Sequence, residues 1–339
     1  MTPSVARSTA PRTPSVPDAN VPSAAASLVE LAEVLATYRT CELATVTRSG
    51  TPVTWPAVAW LDRAAGQLVL TTSIGLPRKA FNLRRDPRVA LLFSDPTGSG
   101  RSDLPQVLVR GTAECPDEIR TSPRGMEAYW QDLWRHQPGS AGYGATPLDR
   151  WFFDFYYMRL VITVTPTSVT TRTPLVRSTR LAPPKPVRRD TTPYAAVTRR
   201  LPEFHDAVLA TVAGDAPPVL RRVRPAADPA TGSFRLDGAE PGELAGVTSA
   251  NLLLHSHDAK LARLRMVGLV GTLDVGEERV LLQPDRVLGA AEATTPLAMV
   301  RTVRRLRQTT QRYLDHRGLD RPVIPWAEYR ALARPDQNG

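Results

Sequence analysis

At 339 residues, with 42% hydrophobic and 22% charged side chains, the chain has the composition of a globular protein and the length for two cores. Its net charge of +10 favours anionic partners, yet arginine is spread along the whole chain rather than clustered, which argues against a nucleic-acid surface. No apolar run approaches the roughly 18 residues of a membrane span, and the first residues hold no apolar leader core, so a cytoplasmic protein without a membrane partner is expected.

Residues 1–26 are rich in Pro, Ser, Thr and Ala without periodicity and are expected to form a disordered tail. A packing helix should follow, with Ser27 as N-cap and Leu28, Leu31, Val34 and Leu35 at helical spacing. From 42 to 115, short apolar stretches alternate with turns: LATV (43–46), VTWPAVAWL (53–61), QLVLTTS (67–73) and RVALLFS (88–94). That is the pattern of an antiparallel barrel. Between the last two, Pro77-Arg78-Lys79 precedes a short helix, AFNLRRD (80–86). The free N–H groups and dipole of a helix start favour an anion. Two cations there oppose the dipole unless something negative binds, which makes Arg78 and Lys79 the first candidates for a phosphate site. Thr72 and Ser73, ending the preceding strand, are candidate hydroxyl donors to the same phosphate. A helix over 124–137, an aromatic run (151–157) read as core before cofactor wall, and a strand over 159–169 complete a first unit, 27–173. Cys41 and Cys115 are expected as reduced thiols.

The combination of Thr72-Ser73, Arg78-Lys79, Asn82, Asp86-Pro87-Arg88 and Arg110-Gly111-Thr112-Ala113-Glu114 resembles the pyridoxamine 5'-phosphate oxidase-like family of flavin-binding split β-barrels. Pro77 stands where that family usually has Ser, which removes one hydroxyl. The resemblance implies FMN as cofactor, a deazaflavin coenzyme as its alternative and haem as a third. It also implies hydride transfer to or from a small organic substrate. It places Trp55, Pro56, Ala57 and Val58 along the flavin ring. Gln106 matches a position from which a Gln reaches the flavin of a partner subunit. The contrasting class is a non-catalytic flavin- or haem-binding module.

A Pro/Arg-rich linker (174–193) leads to a second unit, 194–290, that repeats the first. At an offset of 166, Leu43-Ala44-Thr45-Val46 recurs as Leu209-Ala210-Thr211-Val212, and Asp62, Gly66 and Leu70 recur as Asp228, Gly232 and Leu236. Gly111-Thr112 recurs as Gly271-Thr272, and Thr165-Pro166 as Gln283-Pro284. The expected fold is therefore mainly β with α: two tandem split β-barrels with flanking helices. It would amount to a dimer fused into one chain, with further homodimerisation left open. The second unit has DGAEPGELAGVTSAN (237–251) in place of the Arg-Lys loop, and its Glu240 and Glu243 would repel a phosphate. His255 and His257 share a strand face but lack a third ligand, so no metal site is expected. The last segment, 291–339, carries a basic amphipathic helix.

Overall fold

A computed structural model describes residues 23–176, 192–291 and 296–333; the tail over 1–22 and most of the 174–193 linker lie outside them. Helix α1 (Ala24–Glu30) starts earlier than the sequence suggested: Ser23, not Ser27, is the N-cap, its hydroxyl accepting from Ala26 N at 3.2 Å. Ser27 sits within the helix, and Leu28 is wholly buried in the first core. After α2 (Ala32–Thr37) come β1 (Cys41–Val46), β2 (Pro52–Ala57), β3 (Trp60–Asp62), β4 (Gln67–Ser73), α3 (Arg78–Arg85), β5 (Arg88–Phe93) and β6 (Gln106–Glu114). Two helices, α4 (Glu127–His136) and α5 (Pro147–Phe153), then precede the long β7 (Arg159–Arg172). The second unit holds α6 (Pro193–Thr198), β8 (Ala207–Thr211), β9 (Val219–Asp228), β10 (Ser233–Asp237), β11 (Ser249–His257), β12 (Leu264–Val275) and β13 (Val280–Ala291). Helices α7 (Pro296–Asp315) and α8 (Trp326–Ala333) fold back onto the first unit.

The two units share one strand order. In the first sheet it runs β2-β1-β5-β6-β7-β4-β3, and in the second β9-β8-β11-β12-β13-β10, where β10 pairs back to β9 and closes a barrel. In the first unit only Val58 and Ala59 separate β2 from β3, so the same path is broken at one point and the sheet stays open there.

The repeated residues hold equivalent places. Asp62 and Asp228 each accept from the backbone two residues on, at 3.0 Å, and Gly66 and Gly232 end those turns at φ +62° and +66°. Gly111 opposes Pro166 and Gly271 opposes Pro284, each beside a shift of register. A Cβ on Gly111 would run into the carbonyl oxygen of Thr165, and one on Gly271 into that of Gln283. Gly111→Ala and Gly271→Ala should each lower stability by about 2–3 kcal/mol in chemical denaturation. Gly139→Ala, with open space around its Cβ, should leave the midpoint in place.

Strand periodicity builds three cores from these elements. In β1 and β5, Cys41, Leu43, Val89, Leu91 and Phe93 point into the first core, while Ala44, Ala90 and Leu92 point the other way. In β8 and β11, Leu209, Leu252 and Leu254 fill the second core, and Val208, Ala210 and Leu253 meet the outward set of the first unit. Because both faces are covered, apolar residues stand next to one another in these strands, as in Leu43-Ala44, Ala90-Leu91-Leu92 and Leu252-Leu253-Leu254, instead of alternating with polar ones.

One charged group lies inside that seam. Glu42 of β1, with no solvent exposure, accepts from Arg222 of β9 at 2.6 Å and lies 2.8 Å from His255 Nε2. Arg222 also donates to Asp206 and, at 2.9 Å, to Ser94. His257 is 3.1 Å from Thr40 across the same seam, and burial pulls its pKa down. The two histidines are thus seam residues, and no cluster of metal-ligating groups occurs among the described residues.

Candidate functional site

Arg78 and Lys79, expected in the loop before a helix, form its first turn. Helix α3 begins at Arg78 because Pro77, at φ −78° and ψ −6°, already has helical dihedrals. No acidic residue stands in that turn, and Pro77 offers no side-chain cap. Arg78 is exposed and Lys79 half-buried, and neither forms an ion pair among the described residues. The Lys79 ammonium sits 5.9 Å from the Trp55 ring centroid. Burial, reinforced by the nearby Arg159 charge, pulls the Lys79 pKa down to about 8.

Arg159 opens β7 directly opposite Ser73 and was not singled out in the sequence. It is only 8% exposed, its guanidinium stacks 3.8 Å from the Tyr156 ring centroid, and its Nε and Nη2 have no hydrogen-bond partner among the described residues. A buried guanidinium with open donors is costly unless an anion or water satisfies it. The sequence signal available was a lone Arg heading an otherwise apolar strand.

The remaining predicted residues divide. Trp55, Pro56, Ala57 and Val58 are half-buried along β2 and just past it, and Trp55 meets Lys79. Thr72 and Ser73 lie beside the loop, but their hydroxyl protons are already taken: Thr72 donates to the Leu76 carbonyl at 2.9 Å and Ser73 to that of Phe155 at 2.5 Å. Both hydroxyls therefore shape the 74–77 loop rather than pointing free donors at a ligand. Gln106 is not brought to the site. It pairs with Arg172 at one end of β7, whereas Ser73 pairs with Arg159 at the other, and its amide donates to Thr173 O at 2.9 Å.

Other units wall this region. Asn251 of β11, fully buried, accepts from Thr54 N at 2.9 Å, fixing the second unit against the residue next to Trp55. Helix α7 crosses the 74–77 loop, with Thr310 and the Leu306 carbonyl nearest to Gly75, and Tyr313 stacks on Phe81 of α3 at 5.9 Å. In the second unit the corresponding segment after β10 is a short turn, Pro241–Leu244, whose Glu243 pairs with Arg221. A cavity of about 510 Å³ lies elsewhere, between α5 and α7.

Residues 29–145 match the family model described as pyridoxamine 5'-phosphate oxidase. Among solved structures, a conserved hypothetical protein from Mycobacterium tuberculosis is 26% identical over 42% of this chain and 82% of its own, with a TM-score of 0.32. An F420 reductase is 24% identical, covering 41% of this chain and 94% of its own, with a TM-score of 0.28. An FAD-binding protein from Mesorhizobium loti is 20% identical, covering 43% and 91%, with a TM-score of 0.28. No curated protein matches the chain. The matched residues hold strands β1 to β6 and the Arg-Lys helix start described above, so within the first unit the chain is similar to the pyridoxamine 5'-phosphate oxidase family and has a sheet of the split-barrel kind.

Proposed function

We propose that the first unit binds a flavin-type cofactor through its phosphate and that the protein is a flavin-dependent oxidoreductase acting on a small organic substrate. The observation that carries this reading is Lys79: a half-buried ammonium with its pKa held down to about 8, no carboxylate partner among the described residues, and an indole beside it. Arg78 supplies a fork for phosphate oxygens at the same helix start, and Arg159 a third, buried cation. Trp55 and the following residues of β2 would lie along the ring. When bound, the flavin supplies the hydride chemistry; the chain holds the phosphate, orients the ring and limits water. The second unit takes the place of a partner subunit, through Asn251 and the apolar seam, so that one chain acts as its own pseudo-dimer. FMN leads, and a deazaflavin coenzyme suits the same cations because it too carries phosphate. Two buried free thiols fit a reducing, cytoplasmic setting.

The test is the absorption spectrum of the purified protein, with mass spectrometry of what denaturation releases. A flavin or deazaflavin band with the matching mass is the expected result. A Soret band would move the protein to haem binding, and a colourless protein that takes up neither flavin on titration would end the oxidoreductase reading.

A further inference from the structure

The cavity between α5 and α7 has a volume of about 510 Å³, within the range of small-molecule sites. Trp151 and Phe152 form one wall, and Val300 and Val303 the other. Trp151 is 60% exposed and Val300 49%, large apolar groups facing solvent across the same opening. The rim is basic. Asp154 accepts from Arg307 at 2.7 Å and from Arg321 at 2.7 and 2.9 Å, so one carboxylate is shared by two guanidiniums. Arg304, the third rim cation, makes no ion pair among the described residues. Arg307 also lies over the Trp151 ring, 4.5 Å from its centroid, which orients the indole.

We propose that this cavity is a binding site for a planar aromatic carboxylate, its ring against Trp151 and its acid group on Arg304. The apolar walls account for a ring, and the surplus positive charge for an acid over a neutral or cationic ligand. Trp55, Arg78, Lys79 and Arg159 do not line this cavity, and the proposal does not depend on the flavin reading.

The probe is 2-naphthoate, titrated into the full chain by calorimetry with no flavin added, against neutral 2-naphthylmethanol. Saturable one-to-one binding of naphthoate is expected, at least about tenfold tighter than the alcohol, the scale of one charge-assisted hydrogen bond. Arg304→Ala should erase that preference while leaving the alcohol's affinity unchanged, and Trp151→Ala should weaken both ligands. Val300→Glu, at a solvent-facing position, should repel naphthoate without disturbing the fold. Equal affinity for acid and alcohol, or binding unmoved by all three variants, would overturn the proposal. So would concentration-dependent dimerisation that Trp151→Ala abolishes, since the groove would then be a contact between copies of this chain.

Discussion

Arg222→Met should destabilise the folded chain by about 3–5 kcal/mol, the cost of leaving a buried charge without its partner. Arg222 is the cation that Glu42, Asp206 and Ser94 share inside the seam, at 2.6 Å from Glu42 and 2.9 Å from Ser94. The methionine fills a similar volume, so the loss isolates charge rather than packing. Denaturation midpoints of the variant and parent decide the matter. A loss under about 1 kcal/mol would mean that water reaches the seam and solvates the carboxylates.

The second large effect is on the cofactor. Arg78→Ala/Lys79→Ala should weaken binding of FMN or a deazaflavin coenzyme by about a hundredfold or more, from two charge-assisted hydrogen bonds at about 1.5–3 kcal/mol each. Neither side chain forms an ion pair among the described residues, so the melting temperature of the cofactor-free variant should not fall. The pH dependence has a definite sign. Lys79 holds its proton less tightly folded, with a pKa near 8, than unfolded, near 10.5. Between those values the unfolded chain binds more protons, so the stability of the cofactor-free protein rises with pH there. Phosphate affinity should do the opposite and fall as pH passes about 8, because the ammonium is then lost. Fluorescence titration of FMN from pH 6 to 10 would show this decline, and Lys79→Arg should flatten it. An affinity indifferent to the double substitution would place the phosphate elsewhere.

Much of the fold was legible in the sequence because its signals are local. Asp62 with Gly66 and Asp228 with Gly232 form similar turns, and Gly111 and Gly271 similar close strand crossings, which is why residue types alone suggest a repeat. A helix close after Pro77 was legible for the same reason, although it begins at Arg78 and not at Ala80. Where helices begin was less so, since Ser23 and Ser27 both satisfy the N-cap preference and only docking against the barrel selects between them.

The sequence by itself indicated two β units with recurring residues and one Arg-Lys pair close to a helix start. Tertiary structure decided which hydroxyls stay free, because Thr72 and Ser73 find acceptors in Leu76 and Phe155, the second far away in the chain. It also decided that Gln106 and Lys79 lie apart and that Arg159 lies near Lys79. Above all it decided how the units join. Glu42 faces Pro56 across its own strand pair, while Val208 faces Arg222 at the matching place in the second unit. Acid and base thus stand on opposite members of corresponding strand pairs, one in each unit, and only when the two sheets meet does each find the other. Pairing across such a distance leaves no trace in local periodicity, since it is a property of two surfaces and not of either strand.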